Sequence, residues 1–178
     1  QITVSGSALI EANEKLNIDI VTASAAVGGT AGVNVGVAVV VAYSNVLAGV
    51  RTGTVLNCGD VTVRAVSGGD GSIDSQKASD VLAAAGMDAS AAGISIRVIA
   101  ITVGIGTTAG VSPSVAVVNM ASSVKARMDG VNGTANIIKV MAETVYPNVL
   151  AVTGAIGAGG SAGISASVAV ATFNSSTY

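Results

Sequence analysis

The stretch "TAGVNVGVAVVVAY", Thr30–Tyr43, alternates between two kinds of side chain from Val33 onward. Bulky residues occupy the odd positions: Val33, Val35, Val37, Val39, Val41 and Tyr43. Mostly small residues occupy the even positions: Asn34, Gly36, Ala38, Val40 and Ala42. Because successive side chains of a strand point to opposite faces, this period predicts a β-strand.

Both faces of this predicted strand are largely apolar, so both need cover. The small face would allow a second layer to approach closely, as in stacked or wrapped sheets. We expect the bulky face, around Val37, to form a buried wall, so that Val37→Asp would cost several kcal/mol.

A membrane-embedded glycine-zipper segment is an alternative. Three stretches lack any charged residue and are long enough to span a bilayer as helices, Ile20–Val50, Val98–Val124 and Thr144–Tyr178. However, the chain has no Trp and only 3 Tyr, so it lacks an aromatic belt, and no Lys/Arg cluster marks a cytoplasmic side. The two-residue period favours strands, and we expect no membrane insertion.

The block recurs along the chain without an internal gap. Its copies are "TAGVNVGVAVVVAYSN" (Thr30–Asn45), "TAGVSPSVAVVNMASS" (Thr108–Ser123) and "SAGISASVAVATFNSS" (Ser161–Ser176). A shorter strand-like unit alternates with it, as "ITVSG" (Ile2–Gly6), "VTVRA" (Val61–Ala65) and "IKVMA" (Ile138–Ala142). These repeats predict one repeat domain, a fragment of a longer chain, with units 1–58, 59–133 and 134–178 and a variable segment, Ser67–Ser90.

The repeats predict an all-β fold, either a β-solenoid (β-helix) or a closely related stacked-sheet repeat. Repeats that cannot bury an apolar face alone obtain their core from neighbouring coils. The abundance of Val, 30 residues against 6 Leu, also favours strands over helices. A change in the parity of apolar positions predicts a bend or bulge near Val98 and Ile99.

The alternation of AG-[VI]-x-x-x-VAV blocks with strands such as "GDVTVRA" resembles the repeat region of large exported adhesins of Gram-negative bacteria, the filamentous-haemagglutinin-like and leukotoxin-like surface proteins. The resemblance covers nearly the whole chain except Ser67–Ser90. It implies a secreted β-helical shaft at the bacterial outer surface that displays binding elements away from the cell. The chain lacks an Arg-Gly-Asp tripeptide, so the resemblance indicates no receptor.

Composition argues against several classes of function. The net charge of −2 provides no basic field for nucleic acid. The chain has no His, the commonest general base, and its single Cys, Cys58, has no thiol partner for a disulfide or a zinc knuckle. We therefore expect Cys58 to be a turn or core residue, and we expect no enzyme activity and no cofactor.

Few residues are candidates for a site. Asp70 and Asp74 lie in "GGDGSID", a weak match to a calcium-binding nonapeptide that occurs once, and an exposed acidic loop is the simpler interpretation. Glu11 and Glu14 could form an acid/base pair of a carbohydrate-active β-helix fragment, similar to polysaccharide lyases and hydrolases, but a solvated turn is simpler. Ser79–Ser90 could be a short helix or a loop.

The function that these observations favour is a non-catalytic structural shaft of a bacterial adhesin. The chain begins and stops within the strand pattern, at "QITVSG" and "ATFNSSTY", so we expect uncapped ends. Uncapped ends of low charge predict self-association into a homo-oligomer, by end stacking or strand exchange. A host-surface protein or glycan is a further candidate partner.

Overall fold

The computed structural model describes residues 1–68, 96–145 and 148–178. Strands take up 81% of these residues and no described residue is helical, which confirms the all-β prediction. The strands of the described chain are β1 (Ile2–Thr3), β2 (Ala8–Lys15), β3 (Ile18–Gly28), β4 (Ala31–Val33), β5 (Gly36–Val50), β6 (Val55–Asn57), β7 (Asp60–Gly68), β8 (Ile96–Gly106), β9 (Ala109–Met128), β10 (Asn132–Thr134), β11 (Ile137–Thr144), β12 (Val149–Gly159) and β13 (Ala162–Thr177). Within these ranges no helix has the length and apolarity that a membrane crossing requires.

The strands form four parallel sheets, which the chain visits in the same order three times. Sheet A holds β1, β6 and β10, sheet B holds β2, β7 and β11, sheet C holds β3, β8 and β12, and sheet D holds β4, β5, β9 and β13. The second pass supplies the central strand of every sheet. Parallel sheets built in this way are compatible with a β-helix-like fold.

The register across sheet D confirms the alignment of the long repeats. Gly110 of β9 pairs with Gly32 of β4 on one side and with Gly163 of β13 on the other. The pairing continues through the rest of each block without a slip, so residues that align in sequence are neighbours in space.

The alignment of the short units is correct for two of the three copies. Val61 of β7 pairs with Ile138, as predicted. In the first pass, however, its partner is Ala8, whereas Ile2 pairs with Leu56 in sheet A. The true equivalent, "ALIEANEK", carries three charges, and these hide its alternation of inward and outward residues.

The second pass contains the extra residues of the chain between β7 and β8. Ser67 and Gly68, predicted to open the variable segment, still belong to β7, where Ser67 pairs with Glu14 and Thr144. The rest of that segment, including the helix or loop predicted at Ser79–Ser90, lies outside the described residues.

Sheets C and D approach closely near the turns that join them. A Cβ atom built on Gly110 would lie 2.5 Å from the Gly104 carbonyl oxygen, and one built on Gly157 would lie 2.7 Å from the Gly110 carbonyl oxygen. Backbone therefore packs directly on backbone, which confirms that the small face of the repeat receives a second layer.

The prediction that the bulky face is buried is wrong. Val35, Val37 and Val39 are 61%, 56% and 52% exposed, whereas the alternating Ala38 and Val40 are 2% and 4% exposed. The even positions point inward because the tight contact of sheets C and D leaves no room for a side chain at Gly32 and Gly36, and the strand period then places Ala38 and Val40 inside as well. The valines at odd positions are left on the outside.

The predicted bend near Val98 and Ile99 is also wrong, because β8 runs unbroken from Ile96 to Gly106 and stays in register with both neighbours. Val98 packs in the core between sheets C and D, while Ile99 points to the other side of sheet C and is buried as well. The apolar positions change from even to odd because this strand is buried on both sides, and not because the chain turns onto another sheet.

The interior contains two apolar clusters. The first includes Val46, Ala48, Val61, Val63, Ala65 and Val124, and the second includes Ala38, Val40, Ile96, Val98, Ala116 and Val118. Polar residues of strands β2, β5, β7 and β9 lie between the two clusters, and they are described with the candidate functional site below.

Candidate functional site

Glu11 and Glu14 do not form a pair. They lie on opposite faces of strand β2, not in a solvated turn as predicted. Glu11 is exposed, whereas Glu14 is half-buried and accepts a hydrogen bond from Ser44 Oγ. Two carboxylates on opposite sides of a sheet cannot flank one scissile bond, so this pair cannot perform glycoside hydrolysis.

Asp70 and Asp74, the weak calcium candidates, lie outside the described residues. Among the residues that the structure does describe, no group of three or more His, Cys, Asp or Glu could hold a metal ion.

Two arginines are engaged by carboxylates of neighbouring strands. Arg64 of β7 lies 3.4 Å from Glu11 and 3.1 Å from Glu143, on the exposed side of sheet B. Arg97 of β8 is buried and makes two hydrogen bonds with Asp19, at 2.9 and 2.6 Å. These ion pairs link adjacent passes of the chain and have a structural role.

Cys58 lies between β6 and β7, is half-buried, and packs against the first apolar cluster. This position agrees with the prediction of a turn or core residue. With no His in the chain, Cys58 has no imidazole base to activate its thiol.

A layer of polar side chains lies between the two apolar clusters and reaches the surface at Ser175, and we call it the polar waist. It consists of Glu14, Ser44, Ser67, Ser122, Thr144 and Ser175. Two in-register rows form it: Glu14, Ser67 and Thr144 on sheet B, and Ser44, Ser122 and Ser175 on sheet D. Each pass of the chain contributes one residue to each row.

Hydrogen bonds connect the first-pass end of the polar waist. Ser44 Oγ donates to Glu14 Oε2 and lies 2.9 Å from Ser67 Oγ, which can donate to it. The hydroxyl oxygens of Ser122 and Thr144 are buried without a partner in the protein, next to a cavity of about 30 Å³. A cavity of this size has room for one or two water molecules. One carboxylate among hydroxyls falls short of the six to eight oxygens that calcium takes.

Sequence reasoning missed the polar waist, although a signal for it existed. Ser44, Ser122 and Ser175 occupy the same column of the aligned repeats. They lie five residues after the end of the VAV run, where we interpreted the residues only as the start of a polar connection. In-register stacking converts such a column into a row of hydroxyls that runs from the buried Ser44 to the exposed Ser175.

Further hydroxyls lie inside the narrow part between sheets C and D. Ser112 and Ser114 of β9 are fully buried, and their hydroxyl oxygens have no partner in the protein. Thr102 of the facing strand donates to the Pro113 carbonyl oxygen at 3.3 Å. This half of the molecule therefore has hydroxyls and glycines inside and valines outside, the reverse of an ordinary soluble sheet.

Replacing Ser114 by Ala is expected to change the free energy of unfolding by no more than about 0.5 kcal/mol, because no hydrogen bond is lost and a buried unpaired hydroxyl is removed. The matched control is Ser44→Ala, which removes a bond to a carboxylate and should cost about 1–3 kcal/mol. Urea melts of both variants provide the comparison. Equal losses would show that Ser114 makes a bond as strong as that of Ser44.

A row of exposed apolar side chains covers the outward side of sheet D, which we call the valine face. It consists of Val33, Val35, Val37, Val39 and Val41 from the first pass, Val111, Pro113, Val115 and Val117 from β9, and Ile164, Ala166, Val168 and Val170 from β13. The members from the first and third passes are exposed, whereas those on β9, the central strand, are half-buried. No member is charged, and the neighbours of Val41 on β9 and β13 are the polar residues Asn119 and Thr172. Apart from that end, the face offers shape and apolar contact to a partner.

Comparison with protein-family models, with curated protein sequences and with solved structures finds no match to this chain.

Proposed function

We propose that the chain is a β-solenoid segment that serves as the non-catalytic shaft of a bacterial cell-surface or secreted adhesin. One observation carries the proposal: three passes of the chain lie on one another in four parallel sheets, with Gly32, Gly110 and Gly163 in register. A stack of this kind can be extended pass by pass without changing its cross-section, which suits a spacer.

On this proposal, the same stacking makes the segment resist forces that pull its passes apart. Neighbouring passes are joined by continuous ladders of backbone hydrogen bonds, the longest being the ladder between β9 and β13. The Arg64 and Arg97 ion pairs add side-chain links in the same direction. A shaft that holds a binding element away from a cell requires strength along this axis.

The adhesin part of the proposal is supported by the resemblance of the repeats to exported adhesins of Gram-negative bacteria. On this proposal the protein is secreted or displayed at the outer surface, and a host-surface protein or glycan would be bound by the adhesin. Labelling of intact producing cells with an antibody against this segment tests the location. Labelling only after the cells are broken would overturn it.

Extending the shaft by one pass is expected to lengthen the molecule by about 4.8 Å, the distance between neighbouring strands. The variant repeats residues 129–178 after Tyr178. Small-angle scattering measures the length, and limited proteolysis shows whether the added pass is folded. A matched control adds the same residues in scrambled order, which should remain sensitive to protease. An added pass that is cut as readily as the scrambled control would contradict the solenoid.

Chelator is expected to leave the melting temperature unchanged, and Asp70→Asn combined with Asp74→Asn should do the same, because we interpret this acidic loop as solvated. A shift of several degrees on removal of calcium would instead revive the metal site, since a ligand bound only to the folded state raises stability. Turnover of polysaccharides, abolished by replacing one carboxylate, would favour the carbohydrate-active alternative.

A further inference from the structure

We propose that the valine face is the docking surface for a second copy of this chain, which packs face to face so that two sheets D stack in a two-fold symmetric pair. This inference deepens the proposed function by naming a partner for the side of the shaft, and it rests on the shaft geometry of that proposal. It concerns a lateral surface and does not depend on the ends of the chain.

The size of the face makes it a candidate interaction site. Val33–Val41 spans about 30 Å along the strand, and three neighbouring strands span about 14 Å, so the flat area is roughly 400 Å². The largest contiguous apolar patch of a typical monomer is about 300–600 Å² and is often functional, so this face is a candidate interaction site. The reversed pattern, with Ser112 and Ser114 buried while Val37 and Val39 are exposed, gives the same indication.

The chemistry of the face selects the occupant. The valine face carries no charge, and the polar side chains Asn119 and Thr172 lie at its Val41 end. A complementary surface must therefore be uncharged and largely apolar. A second valine face meets both conditions. β-Branched side chains have few rotamers, so two such faces can interdigitate at about 10 Å with little loss of side-chain entropy. A self-complementary patch produces a closed two-fold dimer.

A lipid surface fits the face less well. Segments that lie on membranes combine apolar residues with Lys or Arg and with interfacial aromatic residues. The basic residues nearest to the face on β9, Lys125 and Arg127, lie at the far end of that strand. Both are already engaged, Lys125 over the ring of Tyr178 at 5.0 Å and Arg127 with Asp129 at 3.1 Å.

The expected dimer is weak. A standard protein interface buries about 800 Å² on each partner, roughly twice the flat area of this face. We therefore expect a dimer that forms and dissociates within about 1 µM to 1 mM. Sedimentation equilibrium of the full chain over that range should show the mean mass rising from that of one chain toward that of two.

The test variant carries Val37→Asp and Val168→Asp, which place charges on the two outer strands of the face. It should dissociate at least about tenfold more readily than the parent, with an unchanged far-ultraviolet circular dichroism spectrum. The matched control is Val27→Asp, on the outer side of sheet C, where the side chain is 79% exposed. The control should associate as the parent does. If the double variant fails to fold, Val37→Thr keeps the strand preference and should still weaken association.

Three results would overturn the inference. The first is a parent chain that stays monomeric up to about 1 mM. The second is a double variant that associates like the parent, which would indicate end stacking or strand exchange instead. The third is binding of the monomer to phosphatidylcholine or phosphatidylglycerol vesicles that the double variant loses, without self-association, which would assign the face to lipid. None of these results would contradict the shaft, because the extra-pass experiment tests it independently.

Discussion

Val40→Asp is expected to destabilise the protein by about 3–5 kcal/mol, because it buries a charge that has no partner. Val40 is 4% exposed and packs in the second apolar cluster with Ile96 and Val118. No basic side chain belongs to that cluster. A carboxylate there must either remain unpaired in the core or force the strand to open.

The neighbouring substitution, Val39→Asp, provides the control. Val39 is on the same strand, has the same side chain and lies one residue away, but it points outward onto the valine face. We expect it to cost less than about 1 kcal/mol. Urea melts at low protein concentration, where the chain is monomeric, measure both. Similar losses at the two positions would contradict the assignment of inside and outside.

Gly110→Ala is expected to cost about 3 kcal/mol or more, or to prevent folding, because the added methyl group overlaps backbone atoms. A Cβ atom at this position would collide with the Ala158 carbonyl oxygen and would lie 2.5 Å from that of Gly104. Neither atom can move aside easily, since both belong to paired strands. The position does not require a left-handed backbone, so the effect arises from space alone.

The control for this prediction is Gly29→Ala, in the turn before β4. A Cβ atom there would meet nothing within 4 Å, and Gly29 has no positive φ. We expect this variant to be neutral or slightly stabilised, by up to about 1 kcal/mol. Thermal and urea melts of both variants measure the difference in stability. If Gly110→Ala were as stable as Gly29→Ala, sheets C and D would have to lie farther apart than described.

Much of the fold could be predicted from the repeats. The alignment of Thr30–Asn45 with the two later blocks anticipated which residues pair, because in-register parallel stacking places like residues side by side. The short unit in the first pass was misplaced, since the charges of "ALIEANEK" obscured its alternation. The polar waist was missed because its members, such as Glu14 and Ser44, are far apart in the chain.

The sequence by itself determined the strand period, the uncharged character of the blocks and the partner of each repeat residue. Only the tertiary structure decided which side of the strand faces inward. Hydrophobicity alone would place the bulky odd-numbered side inside, whereas the structure places the even-numbered side inside. The physical reason is the close approach of sheets C and D: a side chain at Gly32 or Gly36 would collide with strand β8, so the even positions of the block face inward and Val37 and Val39 lie outside.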